Sequence, residues 1–296
     1  MKLGLIPNIS KEDIVNTVDL LVRQIREAGI EYALSNIMLG MQEEFPDPVK
    51  NSDFLPLDEL IKYSDMVVSI GGDGTILSTA YSIRNTETPV IGVNLGKMGF
   101  LAEFDVDSFK EFLGDLKNGS YIVEKRMTLR GKIEGVDDEL YAINDIVIDK
   151  GSWAKLIELT IKIDDDYVST FSADGLIVAT PTGSTGYSLA AGGPIVNPKA
   201  KAITLSPIAP HILTMRPLVI SGEQKIRIVA RSLYGKVNIN CDGQRTISRN
   251  TPVAIEITKG GNSFNLVHSN KSNYFEILRN KLFWGLDIRN INMESK

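Results

Sequence analysis

Short apolar runs alternate with helical spacing through the first third of the chain. Lys2 to Ile6 reads as a strand, and Ile14, Val18, Leu21, Val22 and Ile25 then recur at helical intervals up to a stop at Gly29. Ser10 is the expected N-cap of that helix, with Glu12 and Asp13 in its first turn. Met66 to Ile70 is a second buried strand, followed by a helix face of Ile76, Leu77, Ala80 and Ile83. Val90 to Val93 is a third, and Phe109, Phe112, Leu113 and Leu116 line a helix closed by Asn118-Gly119. This alternation predicts a parallel sheet covered by helices. Between Asn36 and Pro56 the periodicity fails, and prolines with acidic residues predict a long loop, either a lid or a tolerated surface insertion.

After about Tyr121 the period changes to two. Ile157, Leu159, Ile161 and Ile163 share a face opposite Glu158, Thr160 and Lys162, and Asp164-Asp165-Asp166 turns the chain into Tyr167 to Phe171. Further strand-like runs are Glu139 to Ile148, Gly175 to Thr180, Lys225 to Ala230, Lys236 to Asn240 and Val253 to Thr258, spaced as in a sandwich. Helical spacing returns at Tyr274, Phe275, Leu278, Leu282 and Phe283, so the tail is expected to fold back on the first domain. The domains expected are 1–120, 121–270 and a C-terminal helix in 271–296.

At 296 residues and 43% hydrophobic the chain exceeds one ordinary core, which agrees with two domains. A net charge of −5 without long single-sign blocks argues against a broad nucleic-acid footprint. The lone Cys241 excludes an intramolecular disulfide and a cysteine zinc site. Pro7 interrupts the opening residues before a signal-length apolar core forms, and no uncharged apolar run is long enough to span a bilayer. The expectation is a cytoplasmic protein with no membrane partner.

Chemistry concentrates in a few polar clusters. Gly71-Gly72-Asp73-Gly74-Thr75 follows a strand and opens a helix, where residues without Cβ let backbone N–H groups approach phosphate. Asp73 stands out, because a carboxylate beside phosphates is unfavourable unless it handles a proton or a metal; the alternative is a plain strand-to-helix turn. Neither the Walker spacing nor the third glycine of the dinucleotide fingerprint is present, since Leu77 stands at that position. Phe171 to Leu176 and Thr180 to Ser188, then Gly192-Gly193-Pro194, read as a hydroxyl-rich cradle or as an inter-strand loop. Asn144-Asp145 interrupts an apolar strand, where at least one of the two needs a ligand or backbone partner, or marks a bulge. Asp242-Gly243-Gln244 ends another strand as a turn, and His211 and His268 read as structural.

Taken together, Gly71 to Thr75, Asn94 to Leu101, Asn144-Asp145, Asp174-Gly175 through Pro194, and Asp242-Gly243-Gln244 resemble the NAD kinase family in order and spacing. The glycine motif alone is shared with lipid and sugar kinases, and a non-catalytic dinucleotide sensor is a third reading; the serine, threonine and glycine block is the specific part. The resemblance implies transfer of the γ-phosphoryl group of ATP, with Mg²⁺ carried in on it, to the 2′-hydroxyl of the adenosine ribose of NAD. It implies Asp73 as general base, with Gly71, Gly72, Gly74 and Thr75 at the phosphates and Asn144 and Asp145 on ribose hydroxyls. Asp174, with Lys155 and Ser172, would meet the nicotinamide end. Thr185, Gly186, Tyr187, Ser188 and Ala190 would form the cradle, which Ala209 and Gln244 complete. No protein-held metal is expected. The family usually has Glu where Asp145 stands and Ala where Gly186 stands. The fold class implied is a Rossmann-like α/β domain with a parallel sheet plus an all-β sandwich, assembled as a homo-oligomer, dimer or tetramer.

Overall fold

The computed structural model describes residues 1–47, 49–50, 53–96 and 99–284. They form two compact units. The first comprises Met1–Ile76, Thr88–Glu124 and the described residues from Leu266 on; the second comprises Leu77–Glu87 and Lys125–Asn265.

The sheet of the first unit runs in the order Phe54–Leu55, Glu31–Ser35, Lys2–Pro7, Met66–Gly71, Val90–Asn94, Phe264–Ser269, Tyr121–Arg126, and its first six strands are parallel. Strands Met66–Gly71 and Val90–Asn94 are buried throughout, which is why they read as unbroken apolar runs. Helices Ile14–Glu27 and Val106–Lys117 lay Leu21, Ile25, Phe109 and Leu113 on a core containing Leu3, Leu5, Val68 and Ile91. A capping box starts the second of these: Asp105 accepts the Ser108 N–H at 2.8 Å and Ser108 Oγ accepts the Asp105 N–H at 2.9 Å.

Ser10 is not a helix cap. Its N–H donates to Asn8 Oδ1 at 3.0 Å in a local turn, and the helix begins after Asp13, which takes a left-handed φ of 59°. The stretch expected to be a loop contains a 3₁₀ helix over Asn36–Glu44, and Met38, Phe45, Val49 and Phe54 bury into the same core. These four residues anchor the stretch, while Ile37 and Leu39 are exposed; 3₁₀ spacing simply lacks the α-helical period.

In the second unit, two antiparallel six-stranded sheets enclose one core. One has the order Asp166–Ala173, Ile157–Ile163, Ile226–Arg231, Val253–Lys259, Leu129–Ile133, Glu139–Ala142. The other runs Leu218–Ser221, Ala202–Ile208, Gly175–Ala179, Asp145–Asp149, Lys236–Cys241, Arg245–Asn250. Leu159, Ile228 and Ile255 from the first meet Ile148, Val178 and Ile239 from the second. Asp164 and Asp165, at φ 49° and 71°, make the tight turn of the expected hairpin.

The run Glu139 to Ile148 is not one strand. It ends at Ala142 in one sheet and resumes at Asp145 in the other, so Ile143-Asn144 is where the chain changes sheets. Burial is continuous from Leu140 to Ile148 apart from the half-buried Asn144, so no break in the apolar pattern marks the corner. Strand Phe264–Ser269 returns to the parallel sheet and helix Tyr274–Leu282 follows, with Leu278 buried. Residues 285–296 of the expected terminal helix lie outside the described residues.

Candidate active site

The glycine turn grows directly out of the buried strand Met66–Gly71. Gly72 O accepts the N–H groups of Thr75 (2.9 Å) and Ile76 (3.1 Å), which starts the helix Asp73–Ser82. The Thr75 hydroxyl accepts from Asn8 Nδ2 at 3.2 Å and from the Gly72 N–H at 3.4 Å, so it belongs to the frame of the turn. Gly74 is exposed.

Asp73 is held by the chain beyond the next strand. Oδ1 accepts the N–H groups of Leu101 (3.0 Å) and Ala102 (3.1 Å), and Oδ2 accepts that of Phe100 (2.8 Å). Only glycine fits at position 99, because a Cβ there would lie 1.8 Å from Asp73 Oδ1. A carboxylate oxygen has two lone pairs. Oδ1 is saturated, and Oδ2 keeps one acceptor direction.

In the second unit, a cavity of about 290 Å³ is lined by Asn144, Asp145, Val147, Asp149, Tyr187, Asn240, Asp242 and Gly243. Asp242, at φ 54°, turns its carboxylate onto three successive main-chain donors: Oδ1 accepts from Asn144 (2.8 Å) and Asp145 (3.2 Å), and the Ile143 N–H is shared between Oδ1 and Oδ2 at 3.1 Å each. Arg245 lies 3.5 Å from Asp242 Oδ2, and the Asp242 N–H donates back to Asp145 O at 3.0 Å. Burial, and after it the Asp242 charge, push the Asp145 carboxyl up to about 7. Asp149 and Asp242 are also raised, each chiefly by burial. Asn240 presents a buried Oδ1 with no hydrogen-bond partner among the described residues.

The hydroxyl-rich block is bonded mostly to itself and to the corner at Asn144. Thr180 Oγ1 donates to Ile143 O, and its N–H donates to Asn144 O at 2.9 Å. Gly183 closes over that corner, where a Cβ would fall 2.1 Å from Asn144 O. Ser184 Oγ donates to Pro181 O (2.6 Å), Thr185 Oγ1 to Thr182 O (3.2 Å), and the buried Ser188 pairs with Ser206 at 2.9 Å. What the block exposes is Gly186, Tyr187 and Ala190.

A second group gathers at the far end of the same strands. Asp174 pairs with Lys150 Nζ at 2.6 Å, and its N–H donates to Ile208 O, beside the exposed Ala209 with φ 43°. Ser172 O accepts the His211 N–H at 2.9 Å. Gln244 Oε1 accepts from Ser78 Oγ at 2.9 Å, and Lys155 is exposed and outside the cavity lining. Of the expected site residues, the cavity thus unites Asn144, Asp145 and Tyr187. Asp149, Asn240 and Asp242 join them there without having been expected as site residues. The signals available were the alternation of Asp145, Val147 and Asp149 along one strand and the Asp242-Gly243-Gln244 turn at the end of another.

Family models match most of the chain: the ATP-NAD kinase N-terminal domain over residues 3–121 and the ATP-NAD kinase C-terminal domain over residues 143–269. The chain belongs to the ATP-NAD kinase family. An NAD kinase of Prosthecochloris aestuarii is 38% identical over 96% of this chain and 98% of its own length. One of Geotalea daltonii is 41% identical over 77% of this chain and 81% of its own. A solved NAD kinase from Archaeoglobus fulgidus in complex with ATP has a TM-score of 0.74 at 27% identity, covering 96% of this chain and 99% of that one. Yeast NADH kinase complexed with NADH shares the fold, with a TM-score of 0.87 at 24% identity over 96% of this chain and 88% of that one. Membership of this family makes the chain a kinase, a phosphotransferase.

Proposed function

We propose that this chain transfers the γ-phosphoryl group of ATP to the 2′-hydroxyl of the adenosine ribose of NAD, giving NADP and ADP. The observation that carries the reading is Asp73, anchored through three main-chain donors at the start of a helix with one acceptor direction of Oδ2 remaining. Anchoring supplies alignment, which is most of what phosphoryl transfer asks of a protein, and the remaining lone pair takes the hydroxyl proton. Gly71 to Thr75 and the helix N-terminus receive phosphate.

Residues 121–270 carry NAD recognition and residues 1–120 the glycine motif, and the helix Tyr274–Leu282 belongs with the first domain. Asn144 and Asp145 hold ribose hydroxyls, and Asp174 with Lys155 and Ser172 meets the nicotinamide end. Thr185, Gly186, Tyr187, Ser188 and Ala190 shape the cradle together with Ala209 and Gln244. Ser188 acts through its main chain or through the frame, its hydroxyl being paired with Ser206. Mg²⁺ arrives with ATP as part of the substrate. Assembly as a homo-oligomer goes with the resemblance to the family, and the single buried cysteine supports a cytoplasmic setting.

Incubation with ATP, Mg²⁺ and NAD, followed by assay with an NADP-specific dehydrogenase, tests the reading. Absence of NADP formation refutes it.

A further inference from the structure

The first unit contains a histidine with a carboxylate at each ring nitrogen. His268, on strand Phe264–Ser269, has Nδ1 2.5 Å from Glu103 Oε2 and Nε2 3.0 Å from Glu124 Oε2. All three side chains are sheltered, with 8%, 15% and 20% of their surfaces exposed for His268, Glu103 and Glu124. Each ring nitrogen thus faces one carboxylate oxygen, and the two contacts fix the plane of the imidazole. Phosphoryl transfer as described above gives none of the three a task.

Their position in the chain suggests one. Glu103 immediately follows Phe100, Leu101 and Ala102, whose N–H groups hold Asp73. The other Glu103 oxygen, Oε1, accepts the Ser269 N–H at 3.3 Å, so strand Phe264–Ser269 grips Glu103 twice. The next residue, Phe104, is tied to strand Val90–Asn94 through Phe104 N–H to Gly92 O (3.2 Å) and Asn94 N–H to Phe104 O (2.7 Å). The turn that aims Asp73 is therefore fixed at its C-terminal end by an imidazole–carboxylate clamp and a strand bridge.

We infer that His268 is a positioning residue for phosphoryl transfer, holding the 99–102 turn through Glu103 and so fixing the direction of the open Asp73 Oδ2 lone pair. The inference rests on the reading of Asp73 as proton acceptor. A clamp that only stabilised the fold would respond equally to loss of either ring nitrogen. A positioning clamp responds to the nitrogen facing Glu103.

The test is steady-state NADP formation by the full chain. His268→Asn retains a donor near Nδ1, whereas His268→Gln retains one near Nε2. His268→Gln is expected to lower kcat by roughly ten- to a hundredfold with KM for NAD within about twofold of the parent. His268→Asn is expected to restore most of that loss, while the two melt at similar temperatures. Equal kcat losses, a parental kcat in His268→Gln, or a rise in KM alone overturns the inference. Asp73→Asn is measured alongside. If it turns over at the parental rate, the Asp73 reading falls and this inference with it; if it loses turnover while His268→Gln keeps the parental kcat, the clamp alone is refuted. Should His268→Gln fail to fold, Glu103→Gln replaces it, with the same kcat loss expected and an unchanged kcat overturning the inference.

Discussion

The Asp242 carboxylate holds Asn144 by its main chain, accepting the Asn144 N–H at 2.8 Å and that of Asp145 on the same oxygen, while the Ile143 N–H is shared between its two oxygens. Those three residues are where the chain leaves one sheet for the other and its own ladder partners run out. A buried carboxylate supplies the missing acceptors, and the two side chains assigned to ribose are aimed by it. Asp242→Asn keeps the shape but replaces one acceptor oxygen with a donor. The expected outcome is a tenfold or greater weakening of NAD binding by calorimetry, and a loss of about 1–3 kcal/mol in denaturant unfolding.

Asp145 should make NAD binding depend on pH. Its carboxyl is pushed up to about 7 by burial and by Asp242, so at pH 6 it is largely protonated and binding ribose hydroxyls to the ionised form releases a proton. The Kd for NAD is expected to fall as pH rises from 6 to 8 and to level off above. In Asp145→Asn that slope should vanish, which calorimetry in two buffers of different ionisation heat would show.

The same group should set a stability trend of opposite sense. The folded state binds this proton more tightly than the unfolded chain, so Asp145 costs nothing below the ordinary carboxylate range. Its penalty grows between about pH 4 and 7 and is complete above. Asp145→Asn is expected to gain stability relative to the parent across that window, by an amount on the order of a few kcal/mol. Urea midpoints at pH 5 and pH 8 measure it.

Asp73→Asn is expected to keep NAD binding and lose turnover by at least about a hundredfold, since an amide preserves the shape but not the base. Binding by calorimetry and rates by coupled assay separate the two. A parental rate would remove Asp73 from the proton transfer.

Gly99→Ala should act at a distance of one turn. The added Cβ would lie 1.8 Å from Asp73 Oδ1, so the 99–102 turn has to move and Asp73 loses its amide donors. A kcat loss of roughly tenfold or more is expected, with KM for NAD little changed. Steady-state kinetics beside a thermal melt check it.

Much of this was legible along the chain. Lys2–Pro7, Met66–Gly71 and Val90–Asn94 are read from unbroken apolar runs, and Ile157–Ile163 from strict alternation, because burial on both faces or on one face writes itself into local sequence. The glycine motif and the hydroxyl block named the chemistry because their residue types are rarely interchangeable. What local sequence could not carry is where the acceptors go. Asp242 lies nearly a hundred positions from Asn144, and Asp73 is bonded to a turn more than twenty-five positions downstream. The hydroxyls of Thr180, Ser184 and Ser188 likewise spend themselves on the frame rather than on a ligand. Sequence by itself determined two kinds of sheet and a phosphate-handling motif, through periodicity and residue type. Only tertiary structure decided which carboxylates serve as ligands to the backbone and which face a cavity, because hydrogen bonds between distant segments leave no period in the chain.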